Sequence, residues 1–366
     1  MNNLQHIKRR KTRVVSVGGI FIGGNYPITV QSMTNTDTRK IEDTVKQIKN
    51  LEKEGCDLVR VAVPDMSAAL ALNQIKEQIK IPLIADVHFD YRLALEAIKQ
   101  GVDGLRINPG NIGSKDKIKM VIEAAQKKNI PIRIGVNAGS LEKRLAKNKK
   151  ASIAELMVES ALNQVEICEE MGFFNLLVSL KASDILTTVE AYRLIAKNTD
   201  LPLHLGITEA GTVWAGTIKS AIGIGALLLD GIGDTIRVSL TGDPIEEVRV
   251  GKQILKSLGL KNEGINFISC PTCGRCEINL INLAKEAEEA LKHIKEPLTI
   301  AIMGCAVNGP GEAKGADLGI AGGKGEGLLF KHGQIIKRVA ENRLLDALLE
   351  EVNLTLEELK SKKAES

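Results

Sequence analysis

The chain has 366 residues, of which 44% are hydrophobic and 26% charged, and its net charge is +4. Because a single hydrophobic core stops growing at about 250 residues, this length predicts two domains. Aromatic residues make up only 3% of the chain. That is too few for the stacking platforms with which proteins bind single-stranded nucleic acid. The composition therefore predicts a globular protein that does not bind nucleic acid.

The amino-terminal stretch MNNLQHIKRRKTRVVSVGG is basic, and it lacks the apolar core of about 7–15 residues that a signal peptide requires. No run of about 18 apolar residues is present, so we expect no membrane span. The chain has six cysteines. Without a secretory signal these favour reduced thiols, metal ligands or redox groups over disulfides. We therefore expect a cytoplasmic location.

Short β-rich runs alternate with segments of helical period through the first two-thirds of the chain. Eight such runs lie at 28–33, 58–64, 83–89, 104–110, 132–138, 176–183, 203–210 and 235–242. Strands that are separated by helices pair in parallel. Eight units of this kind favour a closed (β/α)8 TIM barrel over the alternative of an open, doubly wound sheet.

The character of the sequence changes after the eighth run. DPIEEVRVGKQILKSLG predicts the closing helix of the barrel, and KNEGIN predicts a linker. The remainder contains CPTCGRC, one helical segment, the strand LTIAIMG and a glycine-rich stretch, which together predict a compact α+β module. The predicted domains are therefore a substrate-binding barrel over 1–262 and a second domain over 263–366.

Three cysteines of this second domain have the spacing of a metal or cluster site. Cys270 and Cys273 form CPTC, and Cys305 follows in MGCAVNGPGE. A structural zinc ribbon uses a second CxxC pair, which is absent here, so the spacing favours an iron–sulfur cluster. Cys276 and Glu312 compete for the fourth ligand, and the sequence pattern leaves both open. Cys56 and Cys168 lie in helical segments and are predicted to be buried small hydrophobes.

Polar side chains recur at alternate positions near the ends of the predicted strands, where barrel interiors normally carry Val, Ile and Leu. They are Arg60, Asp86, His88, Arg106, Asn108, Arg133, Asn137, Ser179, Lys181, Arg237 and Ser239. A buried cation requires a partner, and the nearby carboxylates are too few to neutralise all of these. A bound polyanion explains the excess, since arginine suits phosphate; a purely structural ion-pair network is the alternative. Asp86, His88, His204 and Glu209 are the candidate acid–base groups.

Several motifs together resemble the family of 4-hydroxy-3-methylbut-2-enyl diphosphate synthases of the non-mevalonate isoprenoid pathway. They are QSMTNTDT (31–38), VRVAVP (59–64), ADVHFD (85–90), RINPGN (106–111), IRIGVNAGS (132–140), SLKAS (179–183), LHLGITEAG (203–211), CPTCGRC and GCAVNGPGE. The resemblance covers essentially the whole chain. It implies a TIM barrel followed by a ferredoxin-like α+β iron–sulfur domain similar to half of sulfite and nitrite reductases.

The resemblance also implies an activity and a set of site residues. The reaction is the two-electron reductive ring opening and dehydroxylation of 2-C-methyl-D-erythritol 2,4-cyclodiphosphate, with flavodoxin or ferredoxin as electron donor. The implied [4Fe-4S] ligands are Cys270, Cys273, Cys305 and Glu312. The implied substrate-binding residues are Arg60, Arg106, Asn108, Arg133, Asn137, Lys181, Arg237 and Ser239, to which we add His204. Glu209 matches an acid–base residue, and we assign Asp86 and His88 to the catalytic group with it.

Two further expectations concern assembly and the competing function. The resemblance and the predicted course of the chain imply a head-to-tail homodimer in which each cluster domain covers the barrel of the partner. The competing function is a non-catalytic iron–sulfur electron carrier or a zinc-stapled binding protein, and this function leaves the cationic barrel interior unexplained.

Overall fold

The computed structural model describes residues 7–108, 112, 115–141, 150–305, 313 and 315–364. The chain divides into two compact units, Met1–Lys261 and Asn262–Ser366. The first unit is built around an eight-stranded parallel sheet and the second around a five-stranded mixed sheet. Among the described residues, no helix has both the length and the apolar character of a membrane span.

The strands of the first unit comprise a short hairpin and the eight strands of the barrel. The hairpin is β1 (Val15–Val17) and β2 (Ile20–Ile22), and the barrel strands are β3 (Thr29–Met33), β4 (Leu58–Val63), β5 (Leu83–Val87), β6 (Gly104–Ile107), β7 (Ile132–Asn137), β8 (Leu176–Lys181), β9 (His204–Leu205) and β10 (Thr235–Ile236). The hydrogen-bonded order is β8-β7-β6-β5-β4-β3-β10-β9. A parallel bridge between Val178 and Leu203 joins the two ends of this sheet. The predicted TIM barrel is thus confirmed.

Helices follow the barrel strands in alternation. They are α1 (Ile41–Glu54), α2 (Met66–Lys76), α3 (Tyr91–Lys99), α4 (Lys115–Lys128), α5 (Ile153–Glu170), α6 (Ile185–Asn198), α7 (Val213–Leu229) and α8 (Pro244–Ser257). Several begin at an aspartate or serine whose side chain accepts a backbone N–H, as at Asp65, Asp184 and Asp243. Such caps satisfy donors that the first turn of a helix leaves unpaired.

The barrel has an apolar floor. Val17 and Ile22 of the β1–β2 hairpin pack against Leu58, Ile84 and Leu177, which lie near the amino-terminal ends of their strands. The hairpin therefore covers the amino-terminal end of the barrel. The polar interior described below lies above this floor, toward the carboxyl ends of the strands, where TIM barrels carry their active sites.

In the described part of the second unit, five strands combine with two α-helices. Its elements are β11 (Ile265–Ser269), α9 (Leu280–Leu291), β12 (Leu298–Met303), β13 (Leu318–Gly322), β14 (Glu326–Lys331), β15 (Gln334–Ala340) and α10 (Leu344–Ala364). β11, β12 and β13 pair in parallel, and β14 and β15 complete the sheet in antiparallel fashion. Apolar residues of α9 and α10 pack on the sheet. The predicted α+β character of this domain is confirmed.

Candidate active site

The barrel interior is cationic because its strands alternate apolar and polar residues. On β7, Ile132, Ile134 and Val136 belong to the core beneath the helices, so Arg133 and Asn137 face the interior. Charged residues on three further barrel strands are buried in the same way, with exposed fractions of 7% for Arg60, 6% for Arg106 and 8% for Lys181, against 5% for Arg133. The strand pattern thus brings the predicted cations together.

Asp86 is the carboxylate at the centre of one part of this interior. Its Oδ2 lies 3.5 Å from Arg60 Nε, and its Oδ1 lies 3.2 Å from Arg106 Nη1 and 3.3 Å from His88 Nε2. Burial acts to raise the pKa of Asp86, but Arg60, the hydrogen bond with His88 and Arg106 together hold it well below its usual range. Asp86 is therefore expected to be ionised at neutral pH. This favours a role in orienting its neighbours over a role in proton transfer.

Arg106 depends on a glycine for its position. Its Nη1 lies 2.5 Å from His88 Nε2 and its Nη2 donates to the carbonyl oxygen of Gly135 at 3.5 Å. A Cβ at Gly135 would overlap this guanidinium. The glycine in the motif IRIGVN therefore leaves the space that Arg106 fills.

Arg237 is held by a carboxylate from outside the barrel strands. Its Nη2 donates to Glu247 Oε1 at 3.1 Å and to Oε2 at 3.2 Å, and its Nε donates to Oε2 at 3.3 Å. Glu247 lies in the first turn of α8 and is 3% exposed. Sequence reasoning missed this residue. The available signal was a glutamate at a buried position of an amphipathic helix, one helical turn after Pro244.

Arg133 and Lys181 differ from the other cations because the partners that they contact are neutral. Arg133 Nη1 donates to Gln31 Oε1 at 3.0 Å, and Lys181 Nζ lies 3.5 Å from His204 Nε2. Arg133 Nε and Nη2 have no hydrogen-bond partner within the described part of the chain. Burial, followed by the neighbouring cations, lowers the pKa of both groups well below the usual value. The uncompensated positive charge of the barrel is concentrated on these two side chains.

His204 is completely buried and accompanies this pair. Burial and the nearby cations, Arg133 first among them, lower the pKa of its imidazole well below the usual value. With Lys181 donating to Nε2, the proton of the neutral ring lies on Nδ1, which has no partner among the described residues. A neutral His204 therefore offers one further N–H donor in the interior.

The remaining predicted residues lie at the carboxyl ends of the strands or just beyond them. Asn108 follows β6, is 5% exposed and accepts a hydrogen bond from Gln164 of α5 at 3.2 Å. Asn137 ends β7, and Ser239 lies three residues after β10. Glu209 is exposed in the loop after β9 and has a φ of 53°, a left-handed conformation that is uncommon for a non-glycine residue. The structure thus places these residues at or beyond the carboxyl end of the barrel strands.

The three cysteines predicted as ligands lie at one edge of the second sheet. β11 and β12 are parallel, with Ser269 opposite Ile302, so Cys270 and Cys305 both follow strands that end at the same edge. Gly304 N donates to Cys270 Sγ at 3.1 Å, which is the kind of contact that supports cluster thiolates. Cys273 is exposed on the intervening turn.

Cys276 differs from these three. Its Sγ donates to the carbonyl oxygen of Ile278 at 3.3 Å, whereas Cys270 Sγ accepts a backbone N–H; both residues pack against the core of the second unit. Glu312 lies outside the described residues. Among the residues that are described, no three His, Cys, Asp or Glu side chains converge into a metal site. These residues nevertheless fit an iron–sulfur cluster, because thiolates are its usual ligands. Cys270 and Cys305 follow strands that end at the same edge of the sheet, and a backbone N–H is directed at Cys270 Sγ.

Two sequence-family models match the chain. The GcpE TIM-barrel domain matches residues 12–252, and the GcpE protein C-terminal domain matches residues 266–354. The chain belongs to the GcpE family. The family membership predicted from the sequence motifs is thereby confirmed. The two matched segments fall on the barrel unit and on the mixed-sheet unit.

Members of this family with curated names are similar over almost their whole length. A relative from Caldanaerobacter subterraneus subsp. tengcongensis is 60% identical over 96% of this chain and 99% of its own length. A relative from Clostridium perfringens is 59% identical over 94% of this chain and 98% of its own. Each is named 4-hydroxy-3-methylbut-2-en-1-yl diphosphate synthase (flavodoxin).

A solved structure of another enzyme shares the fold of the barrel. Dihydropteroate synthase from Stenotrophomonas maltophilia aligns with a TM-score of 0.51 and 15% identity, over 68% of this chain and 98% of its own. At this identity the similarity concerns the fold alone. It agrees with the barrel topology and adds nothing about the reaction.

Proposed function

We propose that this protein reduces 2-C-methyl-D-erythritol 2,4-cyclodiphosphate to (E)-4-hydroxy-3-methylbut-2-enyl diphosphate. The observation that carries this proposal is the pair of buried cations, Arg133 and Lys181, whose described contacts are with neutral groups. Buried charge without a counter-charge is costly. A diphosphate supplies that counter-charge, and bidentate arginine contacts suit its oxygens.

The cations fall into two groups, those that pair with a carboxylate and those that contact only neutral groups among the described residues. Arg60 and Arg106 are already oriented by Asp86, and Arg237 by Glu247. Arg133, Lys181 and the neutral His204 retain unused donor capacity for the substrate. Asn108, Asn137 and Ser239 add neutral donors at the same end of the barrel. Preorganised donors of this kind bind the substrate without reorganising when charge develops on it.

Protons are proposed to come from the residues at the mouth of the barrel. Asp86 remains ionised, because its cationic neighbours hold its pKa low. Glu209 is exposed at the carboxyl end of β9, and His88 has 40% of its side chain exposed beside Asp86. We therefore assign proton transfer to Glu209 and His88, and orientation of Arg60 and Arg106 to Asp86.

The electrons require a cofactor and a donor protein. We propose that Cys270, Cys273, Cys305 and Glu312 hold a [4Fe-4S] cluster, which supplies the two electrons one at a time. The relatives' names specify flavodoxin, and we propose flavodoxin, or a ferredoxin in its place, as the electron donor. The competing function, a non-catalytic electron carrier, gives Arg133 and Lys181 no role.

We further propose a head-to-tail homodimer. Within the barrel unit, α8 follows β10 and runs back toward the amino-terminal end of the strands, as the closing helix of a (β/α)8 unit does. Only residues 258–264 connect α8 to β11, and seven residues span at most about 25 Å. This connection favours a cluster domain that serves the partner's barrel over one that covers its own.

Turnover tests the proposed reaction. The protein, with its cluster reconstituted under anaerobic conditions, should convert the cyclodiphosphate to the linear diphosphate when reduced flavodoxin is supplied. Product is measured by mass spectrometry. Cys305→Ser is the control, because it leaves the barrel unchanged. Absence of product from a protein with a full complement of iron and sulfide would refute the proposal.

Subunit complementation tests the dimer. Cys305→Ser should be inactive alone, and Arg133→Ala should be roughly thirtyfold less active at low substrate concentration, where weakened binding limits the rate. A mixed dimer of the two retains one intact composite site. Mixing them in equal amounts under conditions of proven subunit exchange should restore about a quarter of the wild-type activity, because about half of the dimers are then mixed and each mixed dimer has one intact site of two. No restoration would show that each chain completes its own site.

A further inference from the structure

Glu247 is a buried carboxylate that lies on helix α8, outside the barrel strands, and contacts Arg237 of the barrel interior. Besides its three contacts with Arg237, its Oε1 accepts the backbone N–H of Leu240 at 3.1 Å and its Oε2 accepts from Ser32 Oγ at 3.0 Å. One carboxylate thus joins α8, β3 and the segment after β10. Each of its oxygens accepts more than one hydrogen bond, so the group has little freedom to rotate.

The contacts with Arg237 use one edge of the guanidinium. Nε and Nη2 face Glu247, whereas Nη1 is absent from these contacts. The side chain of Arg237 is 16% exposed and that of Glu247 is 5% exposed. Because the arginine fork is rigid and planar, fixing one edge also fixes the direction of the other.

We infer that Glu247 is a positioning residue for substrate binding: it holds Arg237 so that the Nη1 edge of the guanidinium is presented to the diphosphate. The inference rests on the proposed function and adds a residue to its binding site. It gives a role to a buried glutamate on α8 that is not a helix cap. The neighbouring Glu246, by contrast, forms an ion pair with Arg249.

The direction in which KM changes in one variant distinguishes a positioning role of Glu247 from a role in charge balance alone. Glu247→Gln preserves shape but removes a negative charge close to Arg237. If Glu247 only offset the positive charge, its removal would strengthen the attraction for an anionic substrate and lower KM. If Glu247 fixes the fork, the substitution weakens the three charge-assisted contacts with Arg237, lets the guanidinium rotate, and raises KM.

We expect KM for the cyclodiphosphate to rise roughly tenfold in Glu247→Gln, since one charge-assisted contact to the substrate is weakened. We expect kcat to stay within about threefold, because the contact binds ground state and transition state alike. The dissociation constant from calorimetry should rise by the same factor. Glu246→Gln, on the adjacent half-exposed position, is the matched control and should leave both quantities unchanged.

A double-mutant cycle completes the test. In the Arg237→Ala background, Glu247→Gln should change KM by less than about twofold, because the group that it positions is gone. Arg237→Lys keeps the charge but has no fork, and it should raise KM about as much as Glu247→Gln does. This variant keeps the test valid if Glu247→Gln folds poorly.

Three results would overturn the inference. They are a lower or unchanged KM in Glu247→Gln, a full effect of that substitution in the Arg237→Ala background, and a wild-type KM in Arg237→Lys. Failure of the proposed function looks different, because the wild-type protein itself would then neither bind nor convert the cyclodiphosphate.

Discussion

Replacing Lys181 with methionine should stabilise the substrate-free protein while abolishing substrate binding. The Lys181 side chain is buried, and its described contact is with the neutral imidazole of His204. Burial, followed by Arg237 and Arg133, opposes its positive charge. Methionine has nearly the same length and no charge. The substitution therefore removes an unfavourable contribution to the free energy of folding, which we expect only a bound substrate to offset.

The size of the effect follows from two opposing contributions. Exchanging buried ionic groups for apolar groups of similar volume stabilises proteins by about 1–4 kcal/mol, and losing the contact with His204 costs about 1 kcal/mol. We therefore expect a net change in the free energy of unfolding that lies between roughly zero and a gain of about 3 kcal/mol. The fit is tight, since a Cβ on Gly206 would lie 2.7 Å from Lys181 Nζ; the straight methionine chain suits this space.

Amide hydrogen exchange measures the expected gain within the barrel itself. In the substrate-free full-length protein, peptides that cover β7 and β8 should exchange about fivefold more slowly for each kcal/mol gained. Lys197→Met on the exposed surface of α6 is the control and should change exchange little. Faster exchange in Lys181→Met would refute the reasoning, because it would show that the ammonium group stabilises the empty barrel.

Three further predictions concern the cluster, proton transfer and pH. Cys305→Ser should abolish stable iron incorporation, measured by iron analysis and visible absorption, whereas Cys276→Ser should retain it; the reverse result would contradict the ligand assignment. Glu209→Gln should lower kcat at least tenfold while leaving the calorimetric dissociation constant within about twofold, since loss of a proton donor does not affect binding; equal loss of both would make Glu209 a binding residue. A bound dianion raises the lowered pKa of Lys181. At pH values between the lowered and the raised pKa, substrate binding should therefore take up a proton, and the affinity should fall as the pH rises. Calorimetry in buffers of different ionisation enthalpy measures this uptake, and proton release would contradict it.

The barrel was predictable from sequence because each of its strands carries a strong local signal. Runs such as LVRVAV and IRIGVN combine β-branched residues with turns on either side, and the cations among them are conspicuous at positions that are normally apolar. The last two strands are shorter than their sequence runs indicate. After Ile236, Arg237 N still donates to the carbonyl oxygen of Leu205, but Leu240 N bonds to Glu247 instead of to a neighbouring strand.

The pairing of the cations was not predictable from sequence. Nothing local distinguishes Arg60, which shares Asp86 with Arg106, from Arg133, which contacts Gln31. These pairings depend on side chains from different strands meeting across the barrel. In the second unit, the prediction contained one helical segment and the strand LTIAIMG, so the strands β11, β13, β14 and β15 and the helix α10 were missed. The sequence LGIAG of β13 has two glycines among five residues, and glycine has low strand propensity.

The affinity of the cyclodiphosphate for Arg133→Met tests the central claim most directly, namely that the uncompensated cations of the barrel bind the diphosphate. Arg133 has two N–H groups without partners among the described residues, and losing its charge-assisted contacts should cost about 2 kcal/mol, or roughly thirtyfold in the dissociation constant. Arg193→Met, on the exposed surface of α6, is the matched control and should bind as the wild type does. We predict that calorimetry will show this loss in Arg133→Met alone. A dissociation constant for Arg133→Met within about twofold of the wild-type value would contradict the account, because it would mean that the buried arginine serves the barrel and not the substrate.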